Sequence, residues 1–216
     1  MNYKFSEKIF FGGQKAYVEI PFNVWAECGQ KGNIPVKVSI KDFNFECKLV
    51  PKGKGIYYIP VKKEFLKEID TKEELEISFQ LINELTRINN NSPYSIENPI
   101  RKIDNIELVA QTKKGLCGQA TVAMISGVSI EEVINLMDSQ SSMSKVIEAL
   151  DYFGIAHSSK MVYRVKENTK LPKCCIVNTN GHLVVFYDGK YYDSYTGILE
   201  SLDLNKITGY LEILTD

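Results

Sequence analysis

Residues 182–193 read HLVVFYDGKYYD. A run of β-branched and aromatic residues precedes the dipeptide Asp188-Gly189, and a second such run follows it. This is the pattern of a β-hairpin with a two-residue turn. The cross-strand pairs predicted by this turn are Tyr187–Lys190, Val184–Asp193 and His182–Tyr195. His182 and Asp193 then share one face as diagonal neighbours, about 7 to 8 Å apart at the backbone. The carboxylate is therefore expected to reach the imidazole ring.

A helix is predicted to begin at Cys117 and to end near Gly127, because the intervening residues are strongly apolar and glycine commonly terminates helices. A cysteine in the first turn faces the positive end of the helix dipole, which favours the thiolate over the thiol. The thiolate is the nucleophilic form. Taken alone, Cys117 also fits a small buried packing residue, since free cysteine is among the most buried residue types.

Cys117, His182 and Asp193 are the three groups that cysteine–histidine catalysis needs: a nucleophile, a base, and a group that orients the base. An oxyanion hole requires a backbone amide at the helix start and a side-chain donor. Gln111, six positions before Cys117, is the candidate donor, although it also fits the polar end of a strand-like segment at 106–110. His157 lies just past a helix predicted at 144–153, and we expect it at the surface.

This constellation resembles a known family. Gln111, five intervening residues, Cys117-Gly118-Gln119-Ala120, then His182 and Tyr192-Asp193 are similar to the papain-like peptidases whose best-known members trim bacteriocin leader peptides at a double glycine. The resemblance covers about residues 104–200. It implies that Cys117 is the nucleophile, Gln111 the oxyanion donor, His182 the general base and acid, and Asp193 the orienting group.

The first part of the chain is predicted to be rich in β-strands. The segments with β-branched and aromatic enrichment are 16–20, 35–40, 43–50, 56–60 and 75–82. Two short helices are expected, one from Pro21 to Gly29 and one at about 61–69. So many short strands favour a small β-barrel, with Trp25 as a core anchor.

A second resemblance supports that interpretation. Pro21-Phe22, Val24-Trp25, Gly29, Lys31-Gly32, Ile34-Pro35-Val36 and Ile59-Pro60-Val61-Lys62-Lys63 look like the family called domain of unknown function 1905. The similarity covers about residues 15–82. It implies a small bacterial split β-barrel, and the family has no settled activity to carry over.

The boundary between the two parts is expected at three asparagines, 89–91, which are followed by Ser92-Pro93 and Asn98-Pro99. We predict an α+β protein with a small split β-barrel at 1–88, a linker at 89–99 and a papain-like domain at 100–216. In that domain, helices should pack on an antiparallel sheet. A capping box at Ser129 and Glu132 predicts another helix.

Charge and cysteine content limit the classes of function. The 26 basic and 27 acidic residues nearly cancel, and neither half is polarised, so nucleic acid is not an expected partner. The start lacks a signal peptide and no apolar run is long enough to span a membrane, so we expect a soluble, cytoplasmic protein without a membrane partner.

Five cysteines without framework spacing predict reduced thiols, with Cys174-Cys175 as packing residues. Two histidines and no Cys-x-x-Cys pair predict neither a metal nor another cofactor.

The residues leave three functions open. The first is hydrolysis of a peptide bond in a peptide or protein substrate through an acyl-enzyme. The second is acyl transfer from the same site to an amine, as in a cyclase or a transglutaminase-like enzyme. The third is a non-catalytic peptide-binding module. The oligomeric state is not predicted.

Overall fold

The computed structural model describes residues 1–138, 141–163, 165 and 169–215. The described chain mixes helices with antiparallel sheets, which confirms the α+β class. It divides into an N-terminal unit, Met1–Ile88, and a C-terminal unit, Asn89–Asp216. The division falls at the first of the three consecutive asparagines.

The N-terminal unit consists of two four-stranded antiparallel sheets, ordered β1-β8-β4-β5 and β2-β3-β7-β6. Its strands are β1 (Asn2–Glu7), β2 (Ile9–Gly12), β3 (Lys15–Glu19), β4 (Pro35–Ile40), β5 (Phe43–Lys48), β6 (Val50–Gly53), β7 (Ile56–Val61) and β8 (Leu75–Leu81). Every segment predicted as a strand in this unit contains one, and the segment 43–50 contains β5 and the first residue of β6. The sequence interpretation missed β1 and β2, because charged residues near the start of the chain obscured the strand pattern.

The predicted barrel is wrong in one respect: within this fully described unit the two sheets do not join into a closed barrel. The chain passes between the sheets four times, and two of these crossings are single residues outside any strand, Lys8 and Leu49. The Leu49 N–H instead donates to Ile34 O at 2.8 Å, outside any ladder. The sheets share a buried core, to which Val18 and Val38 contribute from opposite sheets. Side-chain packing, not a continuous ladder, holds them together.

Helix α1 (Val24–Cys28) begins later than predicted, because Asn23 caps it by accepting from Ala26 N at 3.2 Å. It ends as predicted at Gly29, which is left-handed with φ 62°. The helix predicted at 61–69 is only a 3₁₀ turn, Phe65–Lys67.

The prediction that Trp25 anchors the core is also wrong, since its side chain is 38% exposed. Its indole N–H donates to the hydroxyl of Tyr57 at 3.2 Å. Tyr57 is 1% exposed, so in this pair the tyrosine is the core residue. In α1 it is Val24 and Cys28 that are buried.

The C-terminal unit packs three helices beside an antiparallel sheet. Its described elements are α2 (Cys117–Ser126), α3 (Ile130–Met137), α4 (Met143–Tyr152), β9 (Val162–Tyr163), β10 (Cys174–Thr179), β11 (His182–Tyr187), β12 (Lys190–Asp193), β13 (Gly197–Leu199) and β14 (Gly209–Glu212). Among the described residues the sheet order is β13-β12-β11-β10-β14-β9. Helix α2 is buried along its whole length and packs against β11, α3 and α4.

The helix signals in the sequence were accurate. Cys117 is the first residue of α2, and Gly127 ends the helix with φ 75°. Ser129 and Glu132 form the predicted capping box of α3. The strand-like segment at 106–110 forms no strand, so the prediction there is wrong. No helix in the part of the chain that the structure describes is long and apolar enough to cross a bilayer.

Candidate active site

The hairpin β11–β12 forms with the predicted register. Asp188 and Gly189 both have positive φ, at 47° and 88°, as a type I′ turn requires. The ladder pairs are Tyr187 with Lys190, Phe186 with Tyr191 and Val185 with Tyr192. This local turn chemistry sets which residues of β12 lie beside the start of β11.

The hairpin brings His182 and Asp193 together directly. His182 Nε2 lies 2.9 Å from Asp193 Oδ1, a normal hydrogen-bond distance. The His182 side chain is 33% exposed, whereas Asp193 is buried. The geometry is therefore a buried carboxylate holding an imidazole that solvent or a substrate can reach.

The carboxylate of Asp193 is held as an anion. Burial acts to raise its pKa, but hydrogen bonds from Tyr195 N–H and from His182, the charge of His182 and a further bond from Thr196 together outweigh burial, so the pKa lies below its usual value of 3.8. Tyr195 N and Thr196 N lie 2.8 and 3.4 Å from Oδ1. Asp193 Oδ1 thus accepts from three donors, Tyr195 N–H, Thr196 N–H and His182.

The pairing with Asp193 selects the tautomer of the neutral imidazole. An ionised carboxylate can only accept, so His182 Nε2 carries the proton and Nδ1 carries the lone pair. His182 Nδ1 is then the nitrogen that can remove a proton from a nucleophile.

Cys117 lies at the start of α2, the helix that packs against β11, the strand that begins with His182. Its thiol is free and its side chain is 7% exposed. The first N–H groups of a helix have no partner within the helix, so this end offers backbone donors as well as the positive end of the dipole. Among the described residues no hydrogen bond links Cys117 to His182.

Gly118, immediately after Cys117, is required by packing, a role that the sequence interpretation did not assign. A Cβ at this position would lie 2.9 Å from Ser141 Cβ, 3.0 Å from Ser141 O and 3.1 Å from Val146 Cγ2. Because the nearest contacts include backbone, a larger residue would displace the start of α2 from the start of α4. Gly118 therefore fixes the position of the neighbouring thiol.

Gln111 lies beside the aspartate end of the site. Its backbone N–H donates to Ser194 O at 3.0 Å, so it is tied to the residue that follows Asp193. Its Oε1 is buried and has no hydrogen-bond partner among the described residues. The backbone of Gln111 is thus held beside Ser194, and its carboxamide oxygen makes no hydrogen bond to a described residue.

The other four cysteines are in environments that disfavour a thiolate. Burial raises the pKa of Cys47 and of Cys174 to about 12. Burial likewise raises the pKa of Cys28 and of Cys175. Cys174 and Cys175 are fully buried in β10, where the sequence placed them as packing residues.

His157 is not the surface residue that was predicted, because its side chain is only 6% exposed. Its Nε2 lies 3.2 Å from Asp151 Oδ1, and its Nδ1 lies 2.8 Å from Ser158 O. Both ring nitrogens therefore face oxygen acceptors. An isolated bridge from His157 to Ile213 brings the end of the chain against it, which the local sequence could not reveal.

Among the residues that the structure describes, no group of three or more histidine, cysteine, aspartate or glutamate side chains is arranged to hold a metal ion.

Comparison with known proteins bears on the N-terminal unit. The family model described as Domain of unknown function (DUF1905) matches residues 5–81. This confirms the second resemblance, and the N-terminal unit is similar to that family over most of its length. No curated protein matches the chain.

Proposed function

We propose that the C-terminal unit is a papain-like cysteine peptidase that hydrolyses a peptide bond in a peptide or protein substrate. The observation that carries the proposal is the 2.9 Å contact between His182 Nε2 and Asp193 Oδ1, at the start of the strand against which the Cys117 helix packs. An oriented base beside a cysteine at a helix start is the arrangement that thiol acyl transfer requires.

The first chemical step is acylation of the thiol. His182 Nδ1 takes the proton of the Cys117 thiol, and the sulfur attacks the carbonyl carbon of the scissile peptide bond. Backbone N–H at the start of α2 and the carboxamide N–H of Gln111 donate to the oxygen that becomes negative. The protonated His182 then gives its proton to the leaving amine as the C–N bond breaks, which leaves a thioester on Cys117.

The second step is deacylation. His182 Nδ1 removes a proton from water, the hydroxide attacks the thioester carbonyl, and the C–S bond breaks. The proton returns to the sulfur, so the free enzyme and a carboxylic acid are regenerated. Asp193 stays ionised throughout, holding the ring and stabilising the imidazolium that forms in each step.

This chemistry needs a reduced nucleophile, and we place the protein in the cytoplasm. Support comes from the cysteines, since all five are free in the structure.

Thiol alkylation tests whether Cys117 is activated. The full-length protein is treated with a limiting amount of iodoacetamide at pH 7, and carboxamidomethylation of each cysteine is followed by peptide mass spectrometry. We expect Cys117 to be modified first, and its rate to fall in His182→Ala but not in His157→Ala. Labelling of Cys28 or Cys47 as fast as that of Cys117 would remove the basis of the proposal.

A second experiment looks for the reaction itself. The wild-type protein and Cys117→Ala are incubated with a peptide library, with and without excess amine, and the product masses are compared. New carboxyl termini that require Cys117 support hydrolysis. Amide products that appear only with the added amine would replace hydrolysis by acyl transfer.

A further inference from the structure

The sheet β2-β3-β7-β6 of the N-terminal unit has an aromatic outer face. Successive side chains of a strand point to opposite faces, and on these strands one set is buried in the core. The other set includes three half-buried aromatic residues, Phe10, Tyr17 and Tyr58. The solvent-facing side of an antiparallel sheet is ordinarily polar, so three aromatic residues on this face are unusual.

The three rings form one cluster. The ring centroids of Phe10 and Tyr58 are 4.9 Å apart, those of Tyr17 and Tyr58 are 5.9 Å apart, and those of Phe10 and Tyr17 are 6.0 Å apart. Tyr17 and Tyr58 lie on the two central strands, β3 and β7. The cluster is therefore in the middle of the face.

The same sheet carries a net positive charge, whereas the rest of the unit is net negative. Segments 8–20 and 50–63, which contain its four strands and their turns, hold six lysines and one glutamate. The rest of residues 1–88 holds eight basic and eleven acidic residues. The net charge is therefore +5 for the segments of this sheet and −3 for the rest of the unit, although Lys62 also lies 3.9 Å from Glu64. The lysines are Lys8, Lys15, Lys52, Lys54, Lys62 and Lys63, all exposed.

One of these lysines is in contact with the aromatic cluster. Lys52 Nζ lies 4.9 Å from the ring centroid of Tyr58 and 5.6 Å from that of Tyr17. An exposed cation–π contact is weak, so a stronger anion can draw the ammonium away from the rings. The ring faces would then be open to a planar ligand.

We infer that this aromatic sheet face binds single-stranded nucleic acid. Lysines supply phosphate contacts along the backbone, and the central tyrosines supply rings on which bases stack. Aromatic residues on a four-stranded sheet serve the same chemistry in proteins that read single-stranded RNA. An acidic peptide would use the lysines, but it has no planar groups that match the paired rings. The net charge of the chain gives no sign of this surface, because its lysines come from separate segments of the sequence and are offset by acidic residues elsewhere.

Fluorescence anisotropy of labelled dT and U 12-mers tests the inference on the full chain. We expect saturable binding at 50 mM KCl that weakens at 200 mM, with a slope of log affinity against log salt of about −2 or steeper, as for three neutralised phosphates. Absence of binding to both oligonucleotides at 50 mM KCl with about 100 µM protein, a concentration that captures even non-specific complexes, would overturn the inference.

Matched variants locate the binding site. Tyr58→Ala should weaken binding roughly fivefold to 100-fold with an unchanged salt slope, because one stacked base is lost. Lys52→Glu should weaken binding and make the slope shallower. Lys37→Glu is the control, because Lys37 is exposed on β4 of the other sheet. An equal loss in Lys37→Glu would overturn the assignment to this face.

Two further measurements test whether the variants fold and whether the face binds any polyanion. Thermal melts check that the tyrosine variants fold, and if Tyr58→Ala does not, the exposed Lys52→Glu variant decides the question alone. Competition with poly-glutamate tests the acidic peptide. If poly-glutamate displaces the oligonucleotide at lower charge concentration than unlabelled dT does, the face is a general anion surface and the inference is wrong.

Discussion

The C-terminal unit contains two histidine–carboxylate pairs, and they differ in what remains available on the ring. His182 bonds Asp193 through Nε2, which leaves Nδ1 to act, and a third of the side chain is exposed. His157 contacts Asp151 through Nε2 and the carbonyl of Ser158 through Nδ1, and its side chain is almost completely buried.

A carboxylate beside a histidine does not by itself make a catalytic base. A base also needs one unoccupied nitrogen and access to the proton that it removes. Both ring nitrogens of His157 face acceptors, and the residue links the end of α4 to Ile213, just after β14. His182 Nδ1 has no acceptor among the described residues, and a third of the side chain is exposed. The two pairs therefore make opposite predictions for activity and stability.

The largest expected effect comes from removing each ring. His182→Ala should reduce kcat by roughly 10⁴-fold to 10⁶-fold, the range seen when the base of such a triad is lost. His157→Ala should leave kcat unchanged and lower the melting temperature. Peptide cleavage assays and thermal melts on both variants check this contrast. Equal losses of activity in folded protein would show that the two histidines are not functionally distinct.

Removing each carboxylate gives the next largest contrast. Asp193→Ala should lower kcat by about 10²-fold to 10⁴-fold, because general acid–base catalysis depends on the orientation of His182. Asp151→Ala should affect only stability. Because Asp193 also receives N–H bonds from Tyr195 and Thr196, its loss should disturb the turn after β12 as well. A kcat for Asp193→Ala within a factor of about three of wild type, hardly any change in barrier, would rule out the orienting role.

Gln111→Ala should have a smaller effect and lower kcat by about 10²-fold to 10³-fold, as is usual when one oxyanion donor is removed. The KM should change little, because the bond strengthens in the transition state. Gln111→Glu is the matched variant, since it keeps the shape and removes the donor. An increase in KM with unchanged kcat in either variant would instead identify Gln111 as a substrate-binding residue.

The parts of the fold and site that were predictable depend on local chemistry. Asp188-Gly189 determines the turn, the turn determines the register, and the register brings Asp193 to His182. Helix α2 was predictable because its apolar run and its terminal Gly127 are contiguous.

The missed features depend on contacts between distant segments. The burial of His157 requires a bridge to Ile213, more than fifty residues later. The role of Gly118 depends on the approach of Ser141, which lies just before α4. The open arrangement of the two sheets depends on where the chain crosses at Leu49, within a segment that local propensity treats as one strand.

A subtler change separates the charge of Asp193 from its shape. Asp193→Asn keeps an oxygen that can accept from His182, and papain-like enzymes use asparagine in this role. A charge-assisted hydrogen bond is worth roughly 1 kcal/mol more than a neutral one. We expect kcat to fall only about fivefold. A loss as large as that of Asp193→Ala would mean that the asparagine presents its amide nitrogen to the ring.

The smallest expected effect is the dependence of stability on pH in that same variant. The native state lowers the pKa of Asp193 below 3.8, so ionisation stabilises the fold. This contribution is complete above the unfolded pKa and is lost as the pH falls through the native pKa. In urea denaturation, wild type should exceed Asp193→Asn by about 1 kcal/mol at pH 6, and the difference should shrink below pH 3.8. If the difference in unfolding free energy stays constant from pH 6 to below pH 3.8, the charge on Asp193 does not stabilise the hairpin. The contrast with Asp151 would then rest on access to the ring alone.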